Sequence, residues 1–127
     1  MARNENALRG LIGLCQRAGK LQSGTDMAIA AIRAGKGRLA LVDGQASENT
    51  VKKMTDACIY YHVPSVMLPA GLLGAATGKD GRMAAAVTDA GFALRLQAIC
   101  AERDSAIHMH KQTKSNDPGV QASNDEG

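Results

Sequence analysis

The run Gly19-Lys20-Leu21-Gln22-Ser23-Gly24-Thr25-Asp26 decides how this chain is read. It joins a basic residue, a short extended stretch and a glycine turn to the start of a helical pattern. A helix start carries unpaired N–H groups and a partial positive charge, so such a junction holds a phosphate or the edge of a base. The plainer reading is an ordinary strand-to-helix turn capped by Thr25 or Asp26. The residues around it have to decide between the two.

Before the junction, residues 4–17 place Leu8, Leu11, Ile12 and Cys15 on one helical stripe, which Ala18-Gly19 ends. Residues 20–23 form a short strand. A second helix spans 25–34, with Met27, Ala30, Ala31 and Ala34 assigned to its inner side, and Gly35-Lys36-Gly37 stops it. Leu39-Ala40-Leu41-Val42 is a continuous apolar run, suited to a strand buried on both faces. Residues 43–46 read as a loop. Ser47 can cap a third helix in which Val51, Met54, Cys58 and Tyr61 share a stripe. Val63-Pro64 breaks that helix. A strand at 65–68, a short helix at 72–77, a loop at 78–83 and a strand at 84–87 follow. Thr88 or Asp89 caps a last helix, with Phe92, Leu96 and Ile99 inward. This alternation predicts an α/β domain with helices on both faces of a mixed sheet. The domain is expected over residues 1–103, and the polar stretch 104–127 is expected to be a disordered tail.

The 127 residues include no Trp, one Phe and two Tyr, so the core must be built from Ala, Leu, Ile, Val and Met. No apolar run reaches the ~18–20 residues that cross a membrane. With no signal-like segment after Met1, a cytoplasmic location is expected. Cys15, Cys58 and Cys100 are far apart and form no C-x-x-C pair, which argues against a zinc site and for buried thiols. The net charge of +3 is unevenly spread: residues 1–40 hold seven basic and two acidic side chains. That excess surrounds the opening motif and favours a polyanionic partner.

Catalytic patterns are lacking. Gly19-Lys20 and Gly78-Lys79 both miss the spacing and the Ser or Thr of a phosphate-binding P-loop. There is no paired-carboxylate, Ser/His/Asp or HExxH arrangement. His108-Met109-His110 falls in the expected tail, and no metal or other cofactor is expected. The loop Gly78-Lys79-Asp80-Gly81-Arg82-Met83 is better suited to binding. Lys79 and Arg82 can grip phosphates while Met83 packs on an unstacked base; otherwise it is a plain surface loop.

Several segments carry a resemblance. Leu14-Cys15-Gln16-Arg17-Ala18-Gly19-Lys20-Leu21, Ser23-Gly24, Ala46-Ser47-Glu48-Asn49-Thr50, Leu73-Gly74-Ala75-Ala76-Thr77-Gly78-Lys79 and Ala86-Val87-Thr88-Asp89-Ala90-Gly91-Phe92-Ala93 resemble the bacterial YlxQ-like proteins. That family belongs to the L7Ae-type ribosomal-protein superfamily that binds kink-turn RNA. The resemblance covers about residues 4–101. It implies a three-layer α-β-α sandwich around a four-stranded mixed sheet, and RNA binding without catalysis. It also implies that residues 24–30 enter the groove at sheared G·A pairs and that residues 78–83 cover a flipped-out nucleotide. The superfamily's reading pattern is G-x-N-E-x-x-K. Aligned on Gly24, its Asn falls on Asp26, its Glu on Met27 and its Lys on Ala30. Asp26 accepts but cannot donate, Met27 offers packing only, and Ala30 removes a cation. With a base contact worth about 1–3 kcal/mol, losing two weakens kink-turn affinity about a hundredfold or more.

The resulting expectation is a small monomeric protein that binds structured, possibly ribosomal, RNA, with no membrane or small-molecule partner. Gly24 and Thr25 are assigned to backbone contact, Lys20, Lys79 and Arg82 to phosphate, and Asp26 and Met83 to bases. The alternative is a protein-interaction module of the same fold whose RNA readout has decayed, as the alanine at position 30 suggests.

Overall fold

The computed structural model describes residues 3–111, with side chains over 5–102. Nine elements alternate: α1 (Arg3–Arg17), β1 (Leu21–Ser23), α2 (Thr25–Arg33), β2 (Leu39–Asp43), α3 (Glu48–Tyr61), β3 (Ser65–Leu68), α4 (Leu72–Thr77), β4 (Ala84–Val87) and α5 (Ala90–Lys111). Local chemistry sets several boundaries. Ser47 Oγ accepts from Thr50 N at 3.1 Å and starts α3. Asp89 Oδ2 accepts from Phe92 N at 2.9 Å, so Asp89 rather than Thr88 caps α5. α3 stops at His62, whose φ of 57° puts it in the left-handed region.

The strands form one mixed sheet in the order β1-β4-β2-β3. β4 is antiparallel to both β1 and β2, and β3 is parallel to β2. Successive strand residues face opposite sides, which makes two cores. Leu39, Leu41, Ala85 and Val87 face Leu8, Ile12 and Leu96 on one side. Ala40, Val42, Ala84 and Ala86 face Ala28, Ile32, Met54 and Cys58 on the other. Every residue of β2 and β4 is buried. The protein is therefore the expected three-layer α-β-α sandwich.

Four expectations are corrected. α2 buries Ala28, Ala31 and Ile32, while Met27, Ala30 and Ala34 face out and Met27 is 54% exposed. In an Ala-rich helix of nine residues the one buried large side chain, Ile32, sets the rotation, and alanine spacing carries little phase information. The α3 stripe ends at Cys58, and Tyr61, in the last turn, is exposed. α5 continues past residue 103 to Lys111, because nothing after Ala90 breaks the helix. The rest of the expected tail, residues 112–127, lies outside the described residues.

The fourth concerns Asp43, expected in a loop. It ends β2 and is fully buried. Its Oδ1 accepts from Gln45 N and Gly71 N, each at 2.9 Å, and its Oδ2 accepts from Leu73 N at 3.0 Å. Its own N–H donates to Met83 O at 2.8 Å. One carboxylate thus gathers the loop after β2, the start of α4 and, through its backbone, the entry to β4. Hydrogen bonds to a charged group are the strong ones, and buried donors left unpaired are costly. Asp43→Ala is expected to lower unfolding free energy by about 3–5 kcal/mol in urea titrations; a loss below ~1 kcal/mol contradicts this role.

Cys15, Cys58 and Cys100 are all buried. Cys15 Sγ donates to Lys20 O at 3.3 Å, bracing the α1–β1 turn. Burial, with the charge of Asp89 adding, pushes the Cys15 thiol up to about 11 from 9.0. Below pH 9 its stabilising contribution is complete. As pH climbs from 9 toward 11 the unfolded thiol ionises first, and that contribution is lost. Stability should therefore fall across that interval, and Cys15→Ala should show a shallower fall; parallel curves for the two proteins refute the assignment.

Candidate nucleic-acid interface

The antiparallel pairing of β1 with β4 sets the end of β1 beside the start of β4. Gly24 N donates to Ala84 O at 2.8 Å and fastens the turn there. Gly24 has φ 104° and ψ 142°, a conformation that residues with a β-carbon avoid. Gly24 itself, and not Thr25 or Asp26, is the N-cap, and no side chain caps the helix. The first N–H groups of α2 are thus left to an outside acceptor.

Arg82 reaches this turn from the other segment. A β-carbon on Gly24 would lie 3.2 Å from Arg82 Nη1. Arg82 Nε is buried and, among the described residues, the one buried side-chain nitrogen or oxygen without a hydrogen-bond partner. The loop carrying it is shaped by glycines. Gly78 ends α4 at φ 73°, and Gly81 at φ 83° lets Arg82 N approach Lys79 O at 3.4 Å. Lys79 and Asp80 stand exposed on the loop, and Met83 is half-buried at its base. A cleft of about 190 Å³ opens beside it, lined by Gln45, Gly74, Ala75 and residues 80–83.

Gly24, Thr25, Asp26, Arg82 and Met83 thus meet at one end of the sheet, with Lys79 on the adjoining loop. Lys20 is not among them. It sits at the opposite end of β1, where its carbonyl accepts from Thr88 N at 2.9 Å. Four residues of strand rise put it about 13 Å from Gly24. Sequence reasoning missed Gln45 and Asp43. A lone carboxylate closing the apolar run 39–42 was the available signal for Asp43; Gln45 left none. Among the described residues there is no group of three metal-ligating side chains, and no helix is long and apolar enough to cross a membrane.

Comparison with known proteins defines the class. Residues 6–97 match the ribosomal protein L7Ae/L30e/S12e/Gadd45 family, and the chain belongs to that family. Within it the chain is YlxQ-like. It is 46% identical over 90 residues to the RNA-binding protein YlxQ of Bacillus subtilis, spanning 70% of this chain and 90% of that one. It is 48% identical over 61 residues to the protein of the same name from Enterococcus faecium, 48% of this chain and 59% of that one. A protein of unknown function from Bacillus halodurans superposes with a TM-score of 0.70 at 33% identity, covering 74% of this chain and 96% of that one. The 15.5kD RNA binding protein of Giardia lamblia has the same fold, with a TM-score of 0.66 at 17% identity over 83% of this chain and 91% of that one.

Gly24→Ala tests the junction. A side chain at this φ costs about 1–3 kcal/mol, and its β-carbon crowds Arg82. The urea midpoint should drop accordingly, and an unchanged midpoint removes the case for a glycine requirement at this turn.

Proposed function

We propose that this chain is a non-catalytic, monomeric RNA-binding protein of the cytoplasm. It holds kink-turn or other structured RNA between the N-terminus of α2 and the loop 78–83. One observation carries the reading: an uncapped helix N-terminus and a guanidinium with a buried, unpartnered Nε share the same few ångströms. The Arg82 Nη1 and the first N–H groups of α2 are donors close to one another, and a phosphate can supply acceptors to both. Thr25 N–H and Arg82 grip the backbone, Lys79 adds attraction from the loop, and Asp26 and Met83 meet bases. The relatives named as RNA-binding proteins support RNA binding itself.

Readout is weaker than the superfamily pattern provides, because positions 26, 27 and 30 hold Asp, Met and Ala. Binding therefore leans on phosphate and shape more than on base edges. A second reading, a protein-interaction module, is favoured by one feature. An apolar groove of about 440 Å³ lies between α1 and α5, lined by Leu11, Leu14, Ala98, Ile99 and Arg95.

Titration of a kink-turn RNA and a plain duplex of equal length, at several salt concentrations, separates these readings. The kink-turn should bind more tightly. Arg82→Ala should weaken binding and reduce the slope of log K against log salt by about 1, and Ala30→Lys should strengthen the kink-turn selectively. Equal affinity for both RNAs removes kink-turn recognition, and no binding at low salt leaves the interaction module.

A further inference from the structure

The sheet ends in β3, which pairs with β2 alone. Alternate residues of a strand turn their main-chain groups to the same neighbour. Ala40 N donates to Pro64 O at 2.9 Å, so residues 64, 66 and 68 serve β2. Ser65 and Met67 therefore present their N–H and C=O groups to the open edge. That edge is bounded on both sides. Val63 N already donates to Cys58 O at 2.9 Å, and Pro69 has no N–H. One row of two donors and two acceptors lies between them.

The surroundings of this edge are apolar and uncharged. Met67 pairs with Val42, so its side chain lies on the α3 side of the sheet, where it is 52% exposed. Ile59 and Tyr60 stand exposed in the last turn of α3, which leads through residues 62–64 straight into β3. With Tyr61 and Met67 they make four of the seven exposed large apolar side chains among the described residues. Between Asp56 and Lys79 the sequence holds no Asp, Glu, Lys or Arg. A patch of one charge repels its own copy across a two-fold axis, and a neutral patch does not.

We infer that the β3 edge pairs with the β3 edge of a second copy of this chain, antiparallel, about a two-fold axis through Val66. In this register Ser65 lies opposite Met67 of the second copy, and each such pair exchanges two hydrogen bonds. The four bonds use every free group on both edges. A slip by two residues brings Val63 or Pro69 into the ladder and loses bonds. Val66 meets its own counterpart on one face of the sheet. The two Met67 side chains and the two α3 helices share the other face. A contact of one short strand and a few side chains sits at or below the ~1,200 Å² low end of stable interfaces. Pairing is therefore reversible and rises with concentration, and the dilute chain is the monomer of the RNA-binding reading. β3 stands two strands away from β4, so the candidate RNA site of each copy stays open. The pair goes beyond that reading by offering a structured RNA two sites in place of one.

Sedimentation equilibrium of the full chain without RNA, over a concentration series, tests the pairing. The mass should rise from one copy to two and stop there. One copy throughout, up to about 1 mM, overturns the pairing, and so does growth past two. Amide exchange locates the contact. Ser65 and Met67 N–H should exchange about tenfold more slowly once about nine-tenths of the chain is paired. Val66 and Leu68, whose N–H groups already serve β2, should change little. Slowing elsewhere without Ser65 and Met67 overturns the β3 edge. Met67→Lys, at an exposed position, should weaken pairing roughly two- to thirtyfold while the melting temperature of the dilute protein holds. Unchanged association in that variant counts against the edge. Adding Ser65→Glu to Met67→Lys sets opposite charges across the two strands and should recover the association. No recovery overturns the register through Val66. With no RNA present, each of these outcomes leaves the RNA-binding reading where it stands.

Discussion

The buried carboxylate of Asp43 is the constraint on which the rest of this structure depends. A charged group with no solvent contact is costly unless its acceptor sites are filled. Here three backbone donors fill them, from Gln45, Gly71 and Leu73. Those donors belong to segments far apart in sequence, so the charge acts as a hub. The Asp43 backbone adds Met83, the first step into β4. Gln45, the start of α4 and the loop 78–83 then have only one relative arrangement. These are the walls of the cleft beside Arg82. The same interaction that closes the core thus shapes the candidate site.

The sheet explains why the two candidate segments meet. β4 runs between β1 and β2, antiparallel to both. Its start is therefore flanked by the ends of the two strands, Ser23 on one side and Val42 on the other. The turn after β1 and the loop before β4 are brought to one end of the sandwich by that pairing alone. β4 itself is Ala84-Ala85-Ala86-Val87 and wholly buried. Small side chains there let α2 lie close to the sheet. Ala28 and Ile32 fill the space against Ala84 and Ala86, which turns Met27 and Ala30 outward.

That rotation bears on what the candidate surface can offer. At a helix N-terminus the backbone N–H groups recognise charge and not sequence. Arg82 sets a second, cationic donor beside it. Base discrimination would have to come from side chains, and positions 26, 27 and 30 offer a carboxylate, a thioether and a methyl group. Such a set favours packing over hydrogen bonding. The candidate surface is consequently one of cations and backbone donors beside apolar side chains.

Local patterns alone set the order of elements, the buried apolar run of β2, the Ser47 cap and the two candidate binding segments. These follow from local rules: apolar period, cap residues and turn glycines, each readable over a few positions. The resemblance of the motifs supplied the layer architecture. The phase of α2 was not legible, because the alanines at 28, 30, 31 and 34 fall on several sides of the helix and leave the hydrophobic stripe poorly defined until Ile32 meets the sheet. Asp43 and Gln45 were not legible either, because their partners lie outside their own segment. The packed fold sets Lys20 apart from Gly24, brings Arg82 onto it and turns Met27 outward. Those are matters of strand order and helix rotation, and they are settled by contacts between residues distant in the chain.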